Sequence, residues 1–138
     1  MYERLLVALD HSPSSDRALA AAQDLAALSK GEVWVIHLRE REVMPRTGLV
    51  PTESDDEATQ GVKAAVDKLN SAGIKAHGVV EDTVFGHAAR YIVESAREHD
   101  VDVIVMGSRG RSDLAGLVLG STAHKVIHMS DKPVLVVR

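Results

Sequence analysis

The chain has 138 residues, of which 45% are hydrophobic and 26% are charged. This balance excludes a disordered or fibrous protein and predicts one globular domain over residues 1–138. A formal net charge of −4 disfavours a dedicated nucleic-acid-binding protein, and the absence of cysteine excludes disulfides, thiolate metal sites and cysteine nucleophiles. We find no signal-like start and no stretch of membrane-spanning length, so we expect a cytoplasmic protein without membrane contact.

Short β-branched runs alternate along the chain with longer segments of helical spacing. The runs predict five strands, at residues 4–9, 32–38, 75–81, 101–107 and 132–137. The first helix is expected to begin at Pro13, with Ser12 as its N-cap, and to end before Gly31. The other helices are predicted from Ser54, with Glu57 in a capping box, to Gly73; from about Thr83 to Glu98; and from Gly120 to near Met129.

This alternation predicts an α/β fold with a single, doubly wound parallel sheet of five strands and four helices. With the predicted strand order 3-2-1-4-5, the order reverses between the first and fourth strands. A crevice then opens beyond their carboxyl ends, at Asp10 and at Met106–Gly107. The topology therefore predicts a ligand site at these residues.

The sequence "VIVMGSRGRSDLAGLVLGST" brings four glycines to that crevice, at positions 107, 110, 116 and 120. Glycine lets an anion approach backbone N–H groups closely, and Gly120, Ser121 and Thr122 open the last predicted helix, where the dipole favours negative charge. Arg109 and Arg111 would neutralise phosphates there. The alternative is that the glycines only shape turns, that a hydroxyl caps the helix and that the arginines form a solvated tip.

The common phosphate-binding motifs are absent from the sequence. Gly120 is followed by serine rather than by a lysine and a hydroxyl residue, so there is no P-loop, and no G-x-G-x-x-G follows the first strand. An ordinary P-loop kinase and a dinucleotide-dependent dehydrogenase are therefore disfavoured.

The chain resembles the universal stress protein family, in its ATP-binding branch. The likeness runs over nearly the whole length, through "LLVALDHSPSS", the glycine-rich stretch and "HKVIHMSDKPVLVVR". It implies a fold like that of the adenine nucleotide alpha-hydrolases, with ATP, or else AMP or cyclic AMP, in the crevice and Mg²⁺ beside it. One departure is His11, where the family often carries glycine; we expect this side chain to narrow the pocket.

The resemblance implies roles for individual residues. Asp10 is expected near the ribose and as a ligand of Mg²⁺, although an aspartate there could instead accept hydrogen bonds from turn amides. The backbone of Leu38 is expected against adenine. The full set of expected nucleotide-binding residues is Asp10, Ser12, Leu38, Met106, Gly107, Arg109, Gly110, Gly120, Ser121 and Thr122.

The resemblance also implies a nucleotide-dependent regulatory or stress-response protein that forms a homodimer through residues 132–137. Two alternatives stay open, a slow ATPase and a ligand-free dimerisation module. No catalytic residue is assigned, because no catalytic base is evident beyond Asp10.

Three further features have simpler interpretations. Residues 39–55 exceed a normal connection and contain Pro45 and Pro51, which predicts either a lid over the nucleotide or a mobile insertion. His124 and His128 are four residues apart on a predicted helix, but without H-E-x-x-H they are interpreted as a solvated face. His37 is expected to be a partly buried histidine whose hydrogen bonds are satisfied.

Overall fold

A parallel β-sheet forms the centre of the structure. The computed structural model describes residues 1–51, 53–110 and 119–138. The strands are β1 (Arg4–Leu9), β2 (Glu32–Met44), β3 (Gly48–Pro51), β4 (Ala76–Val84), β5 (Val103–Gly107) and β6 (Val134–Val137). The helices are α1 (Pro13–Ser29), α2 (Asp55–Ser71), α3 (Ala88–Glu98) and α4 (Ser121–Met129).

Five of these strands run parallel in the order β4-β2-β1-β5-β6. Numbered along the chain without the short β3, this is the predicted order 3-2-1-4-5, and the predicted five-stranded α/β sheet with four helices is confirmed. The order reverses at β1, which pairs with β2 on one side and with β5 on the other. The carboxyl ends of β1 and β5 therefore border the crevice that the topology predicted.

Apolar side chains cover both faces of the sheet, as expected for parallel strands. Helices α1 and α2 cover one face, where Leu5 and Val35 pack with Ala22 and Leu69. Helices α3 and α4 cover the other, where Leu6 and Ile36 pack with Ile92 and Val126. Trp34 is also buried on this second face. Within the described ranges, the helices are too short or too polar to cross a membrane.

Local signals explain where two of the helices begin. Ser12 caps α1 by accepting a hydrogen bond from the Ser15 amide at 3.2 Å, with Pro13 at the first helical position. Ser54 and Glu57 form the predicted capping box of α2. Both predicted helix starts are confirmed.

The predicted start of α3 is wrong. Thr83 belongs to β4, which stays paired with β2 as far as Val84, opposite Arg41. The chain then turns at Gly86, whose φ of +87° suits glycine, and α3 begins at Ala88. Because β2 is unusually long, its partner β4 extends into residues whose local pattern predicted helix.

Part of the segment 39–55 is a β-hairpin rather than a loop. Strand β2 continues to Met44, and β3 returns antiparallel along Arg41–Met44. Arg39 binds Asp82 through its Nε, at 2.6 Å from Oδ1, and also contacts Asp55; Arg41 contacts the same Asp82. These ionic contacts connect β2 to β4 and to the start of α2.

Candidate functional site

A cavity of about 270 Å³ lies at the carboxyl ends of β1 and β5 and beside the middle of β2. It is closed from one side by the starts of α3 and α4. Nine of the ten residues expected from the sequence to bind nucleotide line it: Asp10, Leu38, Met106, Gly107, Arg109, Gly110, Gly120, Ser121 and Thr122. The fold therefore brings together residues as far apart in the chain as Asp10 and Thr122, which are separated by 112 positions.

Ser12, the tenth, does not line the cavity. Its hydroxyl caps α1 and lies 3.3 Å from the carbonyl oxygen of Arg109, to which it donates. The hydroxyl of Ser14 donates to the same carbonyl at 2.8 Å. Ser12 therefore stabilises the start of the glycine-rich segment from outside the cavity, through the Arg109 carbonyl.

Asp10 lines the cavity and also stabilises the turn after β1. Its Oδ1 accepts a hydrogen bond from the Ser12 amide at 2.9 Å. This is the contact with a turn amide that the sequence allowed as the alternative for Asp10. Its own amide donates to the hydroxyl of Ser15 at 3.2 Å. The turn thus holds the Asp10 carboxylate at the carboxyl end of β1, where it borders the cavity.

Gly107 lines the cavity, but its missing side chain is explained by packing. A Cβ at this position would lie 2.3 Å from Oγ of Ser14 and 2.9 Å from the backbone of the same residue. Helix α1 can cross the end of β5 this closely only because residue 107 is glycine. For Gly107, the structure therefore favours the alternative in which the glycine shapes the backbone rather than binds a ligand.

The amino terminus of α4 points at the cavity without a side-chain cap. Gly120 is its N-cap residue, and its amide donates to the Ser108 carbonyl at 2.5 Å. The first intrahelical bond is donated by His124, so the amides of Ser121, Thr122 and Ala123 precede the helical ladder. All three residues line the cavity. This helix end presents backbone donors and a positive dipole to whatever binds there.

Positive and negative side chains of the cavity wall come from different parts of the chain. Arg109 and Lys125 belong to the glycine-rich segment and α4, and the Lys125 ammonium donates to the Gly86 carbonyl at 3.3 Å. Asp10 directly follows β1, and Glu40 lies within β2, three residues beyond His37, the last residue of β2 that pairs with β1. Burial raises the pKa of Glu40, and the charges of Asp10 and Glu42 raise it further. This acidic region favours a cation.

The wall near β2 combines apolar side chains with strand backbone. Leu38, Ile36, Ile92 and Met106 supply apolar surface. Strand β1 pairs with β2 only as far as His37, and β3 pairs from Arg41 onward. Between these two pairings the β2 backbone around Leu38 borders the cavity, which is suited to a flat ring with hydrogen-bonding edges.

His37 is buried at the edge of the cavity, as expected, and each of its ring nitrogens lies against an oxygen atom. Its Nδ1 lies 2.7 Å from the carbonyl oxygen of Leu9, and its Nε2 contacts Oε1 of Glu53. The other carboxylate oxygen of Glu53 lies 3.2 Å from Nε2 of His11. His11 does not line the cavity, so the expectation that it narrows the pocket is wrong; its ring lies against Gly61 of α2.

Sequence reasoning missed several residues of the cavity wall. Glu53 gave no signal, because it precedes the N-cap of α2 and reaches the site only through the tertiary fold. Lys125 could have been found as the cation four residues after Ser121 on the predicted helix. Arg111 lies outside the described residues.

Several known proteins are similar to this chain over nearly its whole length. The model of the family described as "Universal stress protein family" matches residues 1–138. Universal stress protein YxiE of Bacillus subtilis (strain 168) is 38% identical over 148 aligned positions that cover 100% of both chains. The universal stress protein from Archaeoglobus fulgidus in complex with dAMP superposes with a TM-score of 0.75 at 27% identity, over 99% of this chain and 98% of that one. A universal stress protein in complex with cAMP superposes with a TM-score of 0.71 at 28% identity, over 99% and 97%.

Proposed function

The chain belongs to the universal stress protein family, and we propose that it is a cytoplasmic regulatory protein that binds an adenine nucleotide, with a preference for ATP, in the cavity described above. The observation that carries this proposal is the uncapped amino terminus of α4, which faces the cavity beside Arg109 and Lys125. Two structural neighbours with whole-chain similarity are complexes with dAMP and cAMP.

The phosphates are assigned to the α4 end of the cavity. The amides that precede the helical ladder and the hydroxyls of Ser121 and Thr122 donate hydrogen bonds to phosphate oxygens, and Arg109 and Lys125 balance their charge. Gly110 and Gly120 keep the backbone of this region open to the ligand. Each added phosphate finds further donors and positive charge, which is the physical reason to expect ATP to bind more tightly than AMP.

The base and ribose are assigned to the opposite end. Adenine lies between Met106 and the backbone at Leu38, where apolar surface and strand hydrogen-bonding groups occur together. The ribose hydroxyls lie toward Asp10. This carboxylate also fits Mg²⁺ bound with the nucleotide, because hard divalent cations take oxygen ligands and the repulsion between Asp10 and Glu40 is relieved by a cation.

A regulatory role follows from how the ligand contacts the chain. The proposed phosphate ligands come from the glycine-rich segment and from α4, while α3 reaches the same cavity through Ala88. Binding would therefore bias elements that form one surface of the molecule. A partner that binds this surface could distinguish the nucleotide-bound protein from the free one.

The homodimer is proposed to form at β6, which is an edge of the described sheet. Its Leu135 is 41% exposed, and an exposed apolar edge strand is an association site unless it is paired or covered. Pairing of β6 with the same strand of a second copy about a two-fold axis would close this edge.

The proposal is tested by calorimetric titration of protein freed of copurified nucleotide. The ligands are ATP, ADP, AMP and cyclic AMP, each with and without Mg²⁺. We expect one site per chain, with affinity falling as phosphates are removed. Tighter binding of a monophosphate would overturn the ATP preference, and no binding of any of the four would leave the alternative of a ligand-free module.

A double variant at the start of α4 and a control variant just beyond its end localise the phosphates. Ser121→Ala combined with Thr122→Ala removes two donors from the proposed site and should weaken ATP roughly 10-fold or more, since each bond is made to a charged group. Ser130→Ala, at the other end of α4, removes a hydroxyl that bonds Lys132 outside the cavity and should leave the affinity unchanged. Equal affinities of the two variants would contradict the assignment.

A further inference from the structure

Three side chains with metal-binding atoms converge beside the cavity, on the side away from the glycine-rich segment. They are His11, His37 and Glu53, and their ligating atoms all lie within 4.8 Å of one another. The Glu53 and His37 side chains are only 8% and 5% exposed, while that of His11 is 36% exposed. A carboxylate this buried needs a positive partner.

The hydrogen bond at the far side of His37 determines which nitrogen can bind a ligand. Nδ1 lies 2.7 Å from the Leu9 carbonyl oxygen, which can only accept, so Nδ1 carries a hydrogen. In the neutral ring, Nε2 then presents its lone pair directly to Glu53. A histidine that ligates a metal is oriented in this same way, with its other ring nitrogen donating to a carbonyl.

A lone pair of His37 and an anionic oxygen of Glu53 therefore face each other across a short contact. Such an arrangement is repulsive unless the imidazole is protonated or both groups bind one metal ion, for which the two atoms move apart to about 3 Å or more. The third group, Nε2 of His11 at 3.2 Å from the other oxygen of Glu53, adds a further ligand that a single proton does not require.

The position of His11 is reached through two locally unfavourable residue choices. His11 has a φ of +64°, in the left-handed region that favours glycine. Gly61 lies inside α2, where glycine weakens a helix, and a Cβ there would stand 2.6 Å from Cε1 of His11. The positive φ of His11 and the absence of a side chain at Gly61 together allow the imidazole to lie next to Glu53. A residue that only formed a turn would not need this contact.

We propose that His11, His37 and Glu53 form a binding site for a divalent transition-metal ion of the zinc type. Two imidazoles and one carboxylate are a ligand set that Zn²⁺ accepts while keeping a fourth position open. His37 and Glu53 also line the nucleotide cavity, so a bound metal ion would lie beside it. The site shares no ligand with the Mg²⁺ assigned to Asp10, and it does not depend on nucleotide binding.

The test uses chelator-treated protein without nucleotide. Zn²⁺ is titrated in competition with a chromophoric chelator, and Mg²⁺ is titrated for comparison. We expect one tightly bound Zn²⁺ per chain and no comparable binding of Mg²⁺, which prefers oxygen ligands. Zinc at about a hundredfold excess over its dissociation constant should raise the melting temperature by roughly 5–10 °C.

Two variants test the ligands and one serves as a matched control. His11→Gly removes a ligand and relieves the positive φ, so the metal-free fold is retained; Glu53→Gln removes the charge at nearly constant shape. Each should weaken Zn²⁺ binding roughly 100-fold or more, since loss of even an outer-shell partner costs 10- to 100-fold. His128→Gln disrupts the exposed pair on α4, whose rings are 4.5 Å apart, and should leave the affinity unchanged.

Three results would overturn the proposal. Wild-type protein without a stoichiometric Zn²⁺ would identify the cluster as a protonated ion pair. Unchanged affinity in both His11→Gly and Glu53→Gln would place the metal elsewhere. Loss of binding in His128→Gln would place it on α4.

Discussion

Ser14 of α1 packs directly against Gly107 at the end of β5. A Cβ at residue 107 would stand only 2.3 Å from the Ser14 hydroxyl oxygen. The same hydroxyl donates to the Arg109 carbonyl, two residues further along the glycine-rich segment. One helix residue thus determines both how closely α1 packs on the sheet and where the segment leaves it. The geometry of the cavity depends on this contact.

Gly107→Ala should therefore lower the free energy of unfolding of the protein even when no ligand is bound. The added methyl group meets both the side chain and the backbone of Ser14, and overpacking of this kind costs about 1–3 kcal/mol. Urea denaturation measures the free energy of unfolding. The double variant with Ser14→Gly, which removes the nearest atom, should lose less than the sum of the two single changes. Strict additivity would show that the contact is not the cause.

Acid should weaken the connection between β2 and β4. Hydrogen bonds from Arg39, and then from Arg41, lower the pKa of Asp82 from 3.8 to about 2. A carboxyl group with a lowered pKa contributes stability that is present above pH 3.8 and is lost as the pH falls through 2. The free energy of unfolding should therefore fall across this window.

Asp82→Asn should remove that part of the pH dependence and cost about 1 kcal/mol at neutral pH, a modest figure because the Asp82 side chain is one-third exposed. The measurement is denaturant unfolding at a series of pH values. Asp67→Asn is the matched control, since Asp67 pairs with Lys63 on the exposed face of α2. An acid limb that Asp82→Asn leaves unaltered would mean that other carboxylates govern it.

The elements that the sequence predicted well carry their signals locally. Ser12 with Pro13, and Ser54 with Glu57, determine helix starts through contacts within one turn. Right-handed crossovers favoured a doubly wound sheet, and the strand order assumed for that sheet is the one observed. The positions of Asp10 and Gly120 relative to those elements were therefore enough to predict that the two residues meet at one cavity.

The features that the sequence did not predict depend on contacts between distant residues. The length of β2 comes with pairing to Val84 and with Arg39 contacting Asp82, 43 positions away. Glu53 meets His11 across 42 positions, and no local pattern marks a residue that lies just before a helix cap. A histidine at a position suited to glycine is visible in the sequence, but the contact of its ring with Gly61 of α2 is not.

Arg109→Ala should separate phosphate binding from base binding. Arg109 lines the proposed phosphate end of the cavity, so removal of its positive charge should weaken ATP roughly 5- to 10-fold and leave AMP nearly unchanged. Calorimetric titration with both nucleotides measures the difference. Arg90→Ala, which removes a cation paired with Glu94 on α3, is the matched control. Equal losses for ATP and AMP would contradict the placement of the phosphates.

Val136→Pro should weaken the proposed dimer while preserving the fold. The carbonyls of Pro133 and Val137 accept hydrogen bonds from β5, so the alternate residues Val134 and Val136 direct their N–H groups to the outer edge of β6. Proline at position 136 removes one outward donor without breaking a bond to β5, and edge strands tolerate it. Light scattering after size-exclusion chromatography should show a dimer for the wild type and a shift toward monomer for the variant, with an unchanged circular dichroism spectrum. Leu135→Thr, which keeps every backbone donor, is the matched control and should shift the equilibrium less. A variant that stays as dimeric as the wild type would place the interface on another surface.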